Sequence, residues 1–175
     1  MMSEFYKKIG TSLIENDTEF NRKKWAKRII SEKINLGGLL YLLDSDPNTA
    51  THFIWLVGRL CELSPGTVFP TIKSFFLHRN KTQIKNYDRS LAKMFMCCGI
   101  PEESEGEATT LMFEWILSPD VIVTTKNYST VALYNLTLKY PELKSELILT
   151  IQDQLDKNSI SFNQTARKVL KKLLK

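Results

Sequence analysis

Histidine and cysteine are scarce in the 175 residues: two of the first, three of the second. The cysteines, Cys61, Cys97 and Cys98, are odd in number and show no C-x-x-C spacing, which argues against a disulfide framework and for a reducing, cytoplasmic setting. The chain has no Gly-rich phosphate loop, no G-x-S-x-G, no H-E-x-x-H and no zinc-ligand spacing, so no catalytic residue, metal site or cofactor is assigned. Long apolar runs are missing as well. The longest, Leu36 to Leu43, contains two glycines and falls far short of the roughly 20 residues that span a bilayer, so no membrane association is expected. The start, MMSEFYKKIGTSLIEND, has no apolar stretch after its lysines and is not read as a secretory signal.

What is present is ordinary for a folded chain: 43% hydrophobic and 25% charged residues, enough for one domain over 1–175 with its own core. The net charge of +5 is unevenly spread. Residues 101–126 carry one lysine against six acids, while residues 127–175 carry eight basic residues against four acidic ones. A basic body with an acidic middle is what a soluble surface presents, and it also suits attraction of a polyanion at the basic ends.

Periodicity reads as helix throughout. Ser3 to Glu15 is a weak pattern broken by Gly10, expected to be a short, mobile cap over 1–16. Asn16-Asp17-Thr18, with Glu19 three residues after Asn16, offers a helix start. The helix to about Ile34 lines up Trp25, Ile29 and Ile30, and Leu36 to Asp44 is its short apolar return. Asp46-Pro47 is a strong start signal for a helix to Leu63 whose apolar positions exceed a single stripe, so it should pack on two sides. Ser64-Pro65 opens the next helix, with Val68, Phe69, Ile72, Phe75 and Phe76 inward. Ile84 to Cys98 follows, stopped by Gly99 and Pro101. Ser104 and Glu107 form a capping-box pair for a helix through Trp115. Val121-Ile122-Val123 is β-branched, but a lone strand has nothing to pair with, so it reads as linker or first helical turn. Thr125 to Leu155 is a helix, a corner at Tyr140-Pro141, and a returning helix. Ser161 with Gln164 starts the C-terminal capping helix of 159–175, with Phe162, Ala166, Val169, Leu170 and Leu173 inward.

Pro65, Pro101 and Pro141 lie 36 and 40 residues apart, the period of helix-pair solenoids. Ten residues before each stand Trp55, Leu91 and Val131; nine before, Leu56, Ala92 and Ala132; five before, Leu60, Met96 and Leu136; four before, Cys61, Cys97 and Thr137. The segments WAKRII, WLVGRLCEL, ALYNLTLKYPELKSEL and ARKVLKKL are similar to the HEAT/armadillo class of α-helical repeats, over roughly residues 17–175, and to a group of small bacterial HEAT-like proteins sometimes labelled adenylosuccinate lyase. The resemblance implies an all-α fold, a right-handed α-α superhelix of about four antiparallel helix pairs plus the C-terminal cap. The lyase label finds no counterpart, because that enzyme is a far longer tetrameric bundle with a serine-rich mobile loop.

Few side chains invite chemistry. His52 and His78 fall at the same end of a hairpin, near Asp44 and Asp46, where imidazoles and carboxylates could hold a divalent metal; the competing account is two surface histidines on helices roughly 8–10 Å apart. Cys61 and Cys97 occupy the small-residue position filled by Thr137, so packing accounts for them. The acids Glu102, Glu103, Glu105 and Glu107 are expected to lie in water with ordinary acidity. Trp25, Trp55 and Trp115 sit at core spacing. Asn135, polar in an apolar helix, should bond to a neighbouring turn's backbone or face a groove.

These observations lead to a non-enzymatic module that binds a protein or peptide in the face made by the second helix of each pair, with Lys73, Arg79 and Lys144 as contributors. The alternative is nucleic-acid binding. It rests on two basic sets, Lys23, Lys24, Lys27 and Arg28 near one end and Arg167, Lys168, Lys171 and Lys172 at the other, which would grip phosphates without reading bases. HEAT-like proteins that excise alkylated bases from DNA use aromatics and an acidic residue in a basic concave face, but those residues find no matching positions here, and the chain is short for that group.

Overall fold

The computed structural model describes residues 4–15, 18–82 and 84–175, with the backbone alone at Phe5, Leu13 and Ile14. Among the described residues there is no strand, and the chain is all-α. Its α-helices are α1 (Glu4–Glu15), α2 (Glu19–Ser31), α3 (Pro47–Leu63), α4 (Pro65–Val68), α5 (Ile72–His78), α6 (Tyr87–Cys98), α7 (Glu105–Leu117), α8 (Val123–Thr137), α9 (Leu143–Gln154) and α10 (Ile160–Leu173). Short 3-10 helices cover Leu36–Asp44, Phe69–Thr71, Glu102–Ser104 and Leu155–Lys157. No described helix is long and apolar enough to cross a membrane. The chain divides into two compact units, 1–94 and 95–175, and the division falls inside α6.

In the first unit α3 is the hub, packed against α1, α2 and the 3-10 helix Leu36–Asp44. The Asp46 carboxylate accepts from the Asn48 and Thr49 backbone N–H groups, both 3.1 Å, with Pro47 at the first helical position. Those bonds to the ionised form, led by the one from the Thr49 hydroxyl, hold Asp46 below the usual aspartate range. Thr49, Ala50, Phe53, Ile54, Leu56, Val57, Leu60 and Cys61 are all buried. At 100° per residue they cover an arc of about 160°, wide enough for neighbours on more than one side. Pro70 interrupts what would be one helix after Pro65, and a 3-10 turn replaces the missing backbone bond. Tyr87 closes this unit by donating to the Phe75 carbonyl at 2.8 Å; its burial, with the Asp88 charge beside it, pushes the phenol well above the ordinary tyrosine value.

The N-terminal helix packs against the rest of the first unit. Ile9 of α1 is fully buried, and Tyr6 lies against Gly38, where an added Cβ would sit 2.4 Å from the ring. Tyr41 donates to the Tyr6 carbonyl at 3.2 Å, and the burial of that phenol raises its pKa. The helix docks because Gly38, without a Cβ, leaves room for the Tyr6 ring. Asn16 lies outside the described residues, and the start of α2 is capped by Thr18, whose hydroxyl accepts from Asn21 N–H at 3.1 Å.

In the second unit α8 is the hub. It packs on α7 and α10 and turns into α9 through the Pro141 corner. Helices α7 and α9 also meet, so contacts join α8 to α10 and α7 to α9, next but one along the chain. Gly99, at φ 88°, ends α6 in the left-handed region that favours glycine. The Ser104–Glu107 capping box does not form: a 3-10 turn begins earlier, at Glu102, so Ser104 is buried in helical geometry and makes no side-chain cap bond. The last helix is capped by the Ser159 hydroxyl, two residues before the expected Ser161, which lies inside the helix. Its inward side, Phe162, Ala166, Val169, Leu170 and Leu173, is buried as the spacing predicts.

The three proline corners each follow a long helix: Pro65 after α3, Pro101 after α6, Pro141 after α8. Nine residues before each, Leu56, Ala92 and Ala132 are all buried. Ten before, the equivalence fails, because Leu91 is buried, Val131 is half-buried and Trp55 is 41% exposed. Trp55 is therefore not core. Its ring carries the Arg22 guanidinium at 5.2 Å and touches His52 at 5.6 Å, outside the buried arc of α3. Trp25 and Trp115, 5% and 3% exposed, are core. Replacing Trp25 or Trp115 with Ala is expected to cost about 3–5 kcal/mol of folding free energy, and Trp55→Ala about 1 kcal/mol or less, in urea titrations of the single variants.

Candidate functional site

A cleft of about 340 Å³ opens at the Tyr140-Pro141 corner, lined by Glu102, Glu105, Gly106, Thr109, Tyr140, Glu142 and Leu143. Local chemistry builds it. Tyr140 N–H reaches back to the Leu136 carbonyl at 2.8 Å, Pro141 cannot extend α8, and Leu143 N–H bonds to Tyr140 O at 3.1 Å to start the turn into α9. Opposite stands the first turn of α7, where acids are favoured by the positive end of the helix dipole. Glu105 is the keystone of this corner. Its side chain is only 12% exposed; it accepts the Tyr140 hydroxyl at 2.6 Å and the Lys139 ammonium at 3.0 Å. Hydrogen bonds with Tyr140 and Glu105 hold the Lys139 ammonium well above its ordinary pKa. Of the acids expected to lie in water, Glu105 is thus the exception, since Tyr140 and Lys139 arrive from 34–35 residues away. Glu102 and Glu142 remain exposed on the cleft, beside half-buried Leu143 and Tyr140. Such a lining suits an alkyl chain ending in a positive charge.

A second cleft, of about 270 Å³, lies in the first unit among Leu43, Asp44, Pro47, Ala50, His78, Lys81 and Ile84. His78 Nδ1 stands 3.7 Å from Asp44 Oδ1, and the ring packs 5.9 Å from that of Tyr87. His52 packs on Trp55 instead. Among the described residues no three of His, Cys, Asp or Glu gather as metal ligands. Cys61 is a buried thiol, and Cys97 and Cys98 are half-buried thiols.

Lys23 pairs with Glu19 at 3.0 Å; Arg28 pairs with Glu32 at 2.6 Å and lies 5.4 Å over Trp25; Arg79 pairs with Asp88 at 3.0 Å. Lys24, Lys27, Lys73 and Lys144 are exposed. Arg167, Lys168, Lys171 and Lys172 stand on the outer side of α10, all exposed, with Lys172 5.0 Å over the Tyr134 ring. Asn135 donates to the Met96 carbonyl at 3.3 Å, so it ties α8 to a neighbouring helix's backbone.

One residue escaped the sequence reading altogether. Lys126 on α8 is 3% exposed, and among the described residues its ammonium meets no carboxylate. It donates to Asn158 Oδ1 at 2.8 Å; Asn158 in turn donates to Gln154, and Gln154 to Asp153. Burial pulls its pKa below the lysine value of 10.5. Thr125, Ser129 and Thr130 are buried along the same helix, and Ser129 Oγ, Asn127 Oδ1 and Asn163 Oδ1 are buried without a hydrogen-bond partner. A lysine among threonines, serine and asparagine reads as solvated surface, and only the seating of α10 against α8 reverses that. With this geometry in place, comparison with known proteins adds nothing further: no family model, no curated protein and no solved structure matches the chain.

Lys126→Met should raise stability at neutral pH by on the order of 1 kcal/mol, by removing a charge from a site that supplies only a neutral partner. The pH dependence follows. The folded state gives up the Lys126 proton before the unfolded chain does, so the destabilisation is complete at low pH and is relieved as pH rises toward 10.5. The stability gap between Lys126→Met and the parent chain should therefore narrow over that rise, in parallel denaturant titrations. Zinc added to metal-free protein is expected to leave the melting temperature unchanged; an increase would restore the His52/His78 metal site.

Proposed function

We propose that the chain is a non-enzymatic helical-repeat interaction module, built from helix pairs of the HEAT-like right-handed α-α kind, and that it binds a protein or peptide segment bearing basic side chains. The repeat reading is supported by the proline corners after α3, α6 and α8 and by the next-but-one contacts of the second unit. The observation that carries the binding reading is the cleft at the Tyr140-Pro141 corner. Glu102 and Glu142 bring exposed carboxylates to the same cleft as Leu143 and Tyr140, while Glu105 is already engaged by Lys139. A lysine or arginine can lay its alkyl stem on the apolar floor and leave its charge at the rim.

Exposed charge pairs contribute little affinity individually, so the stem contact and the paired carboxylates act together, and selectivity for basic over acidic segments is the measurable result. The experiment is selection of short random peptides on immobilised protein, repeated on the double variant Glu102→Lys, Glu142→Lys. Lysine- and arginine-rich sequences recovered on the parent chain and lost on the variant are expected. Sequences with no charge bias, or the same set recovered on both proteins, would overturn the reading.

A further inference from the structure

We infer that the outer face of α10 is a nucleic-acid phosphate-binding surface, separate from the acidic cleft and independent of what that cleft binds. Arg167, Lys168, Lys171, Lys172 and Lys175 fall within nine residues, and all five are exposed. Helix α10 contains no acidic residue. Several cations elsewhere are paired: Lys23 and Arg59 with Glu19, Lys93 with Glu62, Arg79 with Asp88, Lys139 with Glu105, Lys157 with Asp153. Among the described residues none of the five forms an ion pair, and Lys172 lies 5.0 Å over the Tyr134 ring. Five like charges on and just after the last two turns of α10 repel one another, and the negative end of the helix dipole offsets only part of that repulsion. A row of phosphates would offset the rest.

The occupant follows from what the helix has already buried. Phe162, Ala166, Val169, Leu170 and Leu173 are committed to the core of the second unit, and the exposed apolar side chains left, Ile160 at the start of α10 and Leu174 at its end, stand about 21 Å apart and form no face to insert into a bilayer. What remains is a helical row of cations about 8 Å long from Arg167 to Lys172, continued by Lys175 just past the end of the helix, and matched to phosphates spaced every few ångströms along a strand. Long, flexible lysines presented this way hold a backbone without selecting a sequence.

The test is binding of a labelled mixed-sequence DNA duplex, and of a single strand, over a series of salt concentrations, with vesicles of anionic phospholipid as a second arm. Expected is measurable binding at low salt, with log K falling against log[salt] at a slope of roughly −3 to −4.5 for three to five engaged phosphates on duplex, and no dependence on base sequence. Lys168→Gln, Lys171→Gln and Lys172→Gln together should flatten the slope by roughly 2 to 3 while leaving the melting temperature in place. Lys23→Gln with Lys27→Gln, on the other unit, should leave it unchanged. If the triple variant loses its fold, Arg167→Gln with Lys171→Gln replaces it. Absent binding at low salt, an unaltered slope in the α10 variant, or binding to vesicles in preference to both nucleic acids would each overturn the inference.

Discussion

Burial around a single helix is the constraint on which each unit depends. In the first unit α3 buries side chains from Thr49 to Cys61 over a wide arc and receives α1, α2 and the Leu36–Asp44 segment on it. In the second, α8 does the same from Thr125 to Thr137, with α7 and α10 against it and α9 turning back at Pro141. A helix buried on one stripe needs one neighbour; these two need several at once. That requirement makes the peripheral helices part of the fold even where their own patterns are weak, as in α1, which docks through Ile9 and Tyr6.

The two hubs meet the requirement with different chemistry. The buried arc of α3 is almost wholly apolar, from Phe53 against Phe75 to Leu60. That of α8 is half polar, with small Ser129, Thr130 and Ala132 letting neighbours approach and Lys126 held by an amide chain through Asn158 and Gln154. Apolar burial is roughly proportional to area and indifferent to partner geometry, whereas polar burial is favourable only when each donor meets an acceptor. The second unit is therefore the more specific assembly and the more easily perturbed, and both of its surface features follow from that arrangement. The acidic cleft exists because Glu105 joins the start of α7 to the corner before α9, and the basic row exists because the apolar side of α10 is spent on α8.

Much of this was legible in the residues. Asp46-Pro47, Gly99-x-Pro101 and Tyr140-Pro141 mark where helices start and stop, because caps and prolines act within a few bonds of themselves. The inward positions of α10 follow from spacing alone. Trp55 did not follow, since apolar periodicity states which side chains share a face and not how far the burying neighbours extend; it lies just beyond the edge, held by Arg22 and His52. Ser104 did not follow because the turn preceding α7 placed it in helical geometry before it could cap. Lys126 and Glu105 did not follow because their surroundings arrive from more than thirty residues away, through Asn158 and through Tyr140.

The account stands on α3 and α8 being the last elements to open, each within its own unit. Native-state hydrogen exchange, read amide by amide, tests this directly. The slowest-exchanging amides of residues 1–94 should lie between Phe53 and Cys61, and those of residues 95–175 between Ser129 and Leu136. Maximal protection in α5, α9 or α10, with α3 and α8 exchanging earlier, would contradict it.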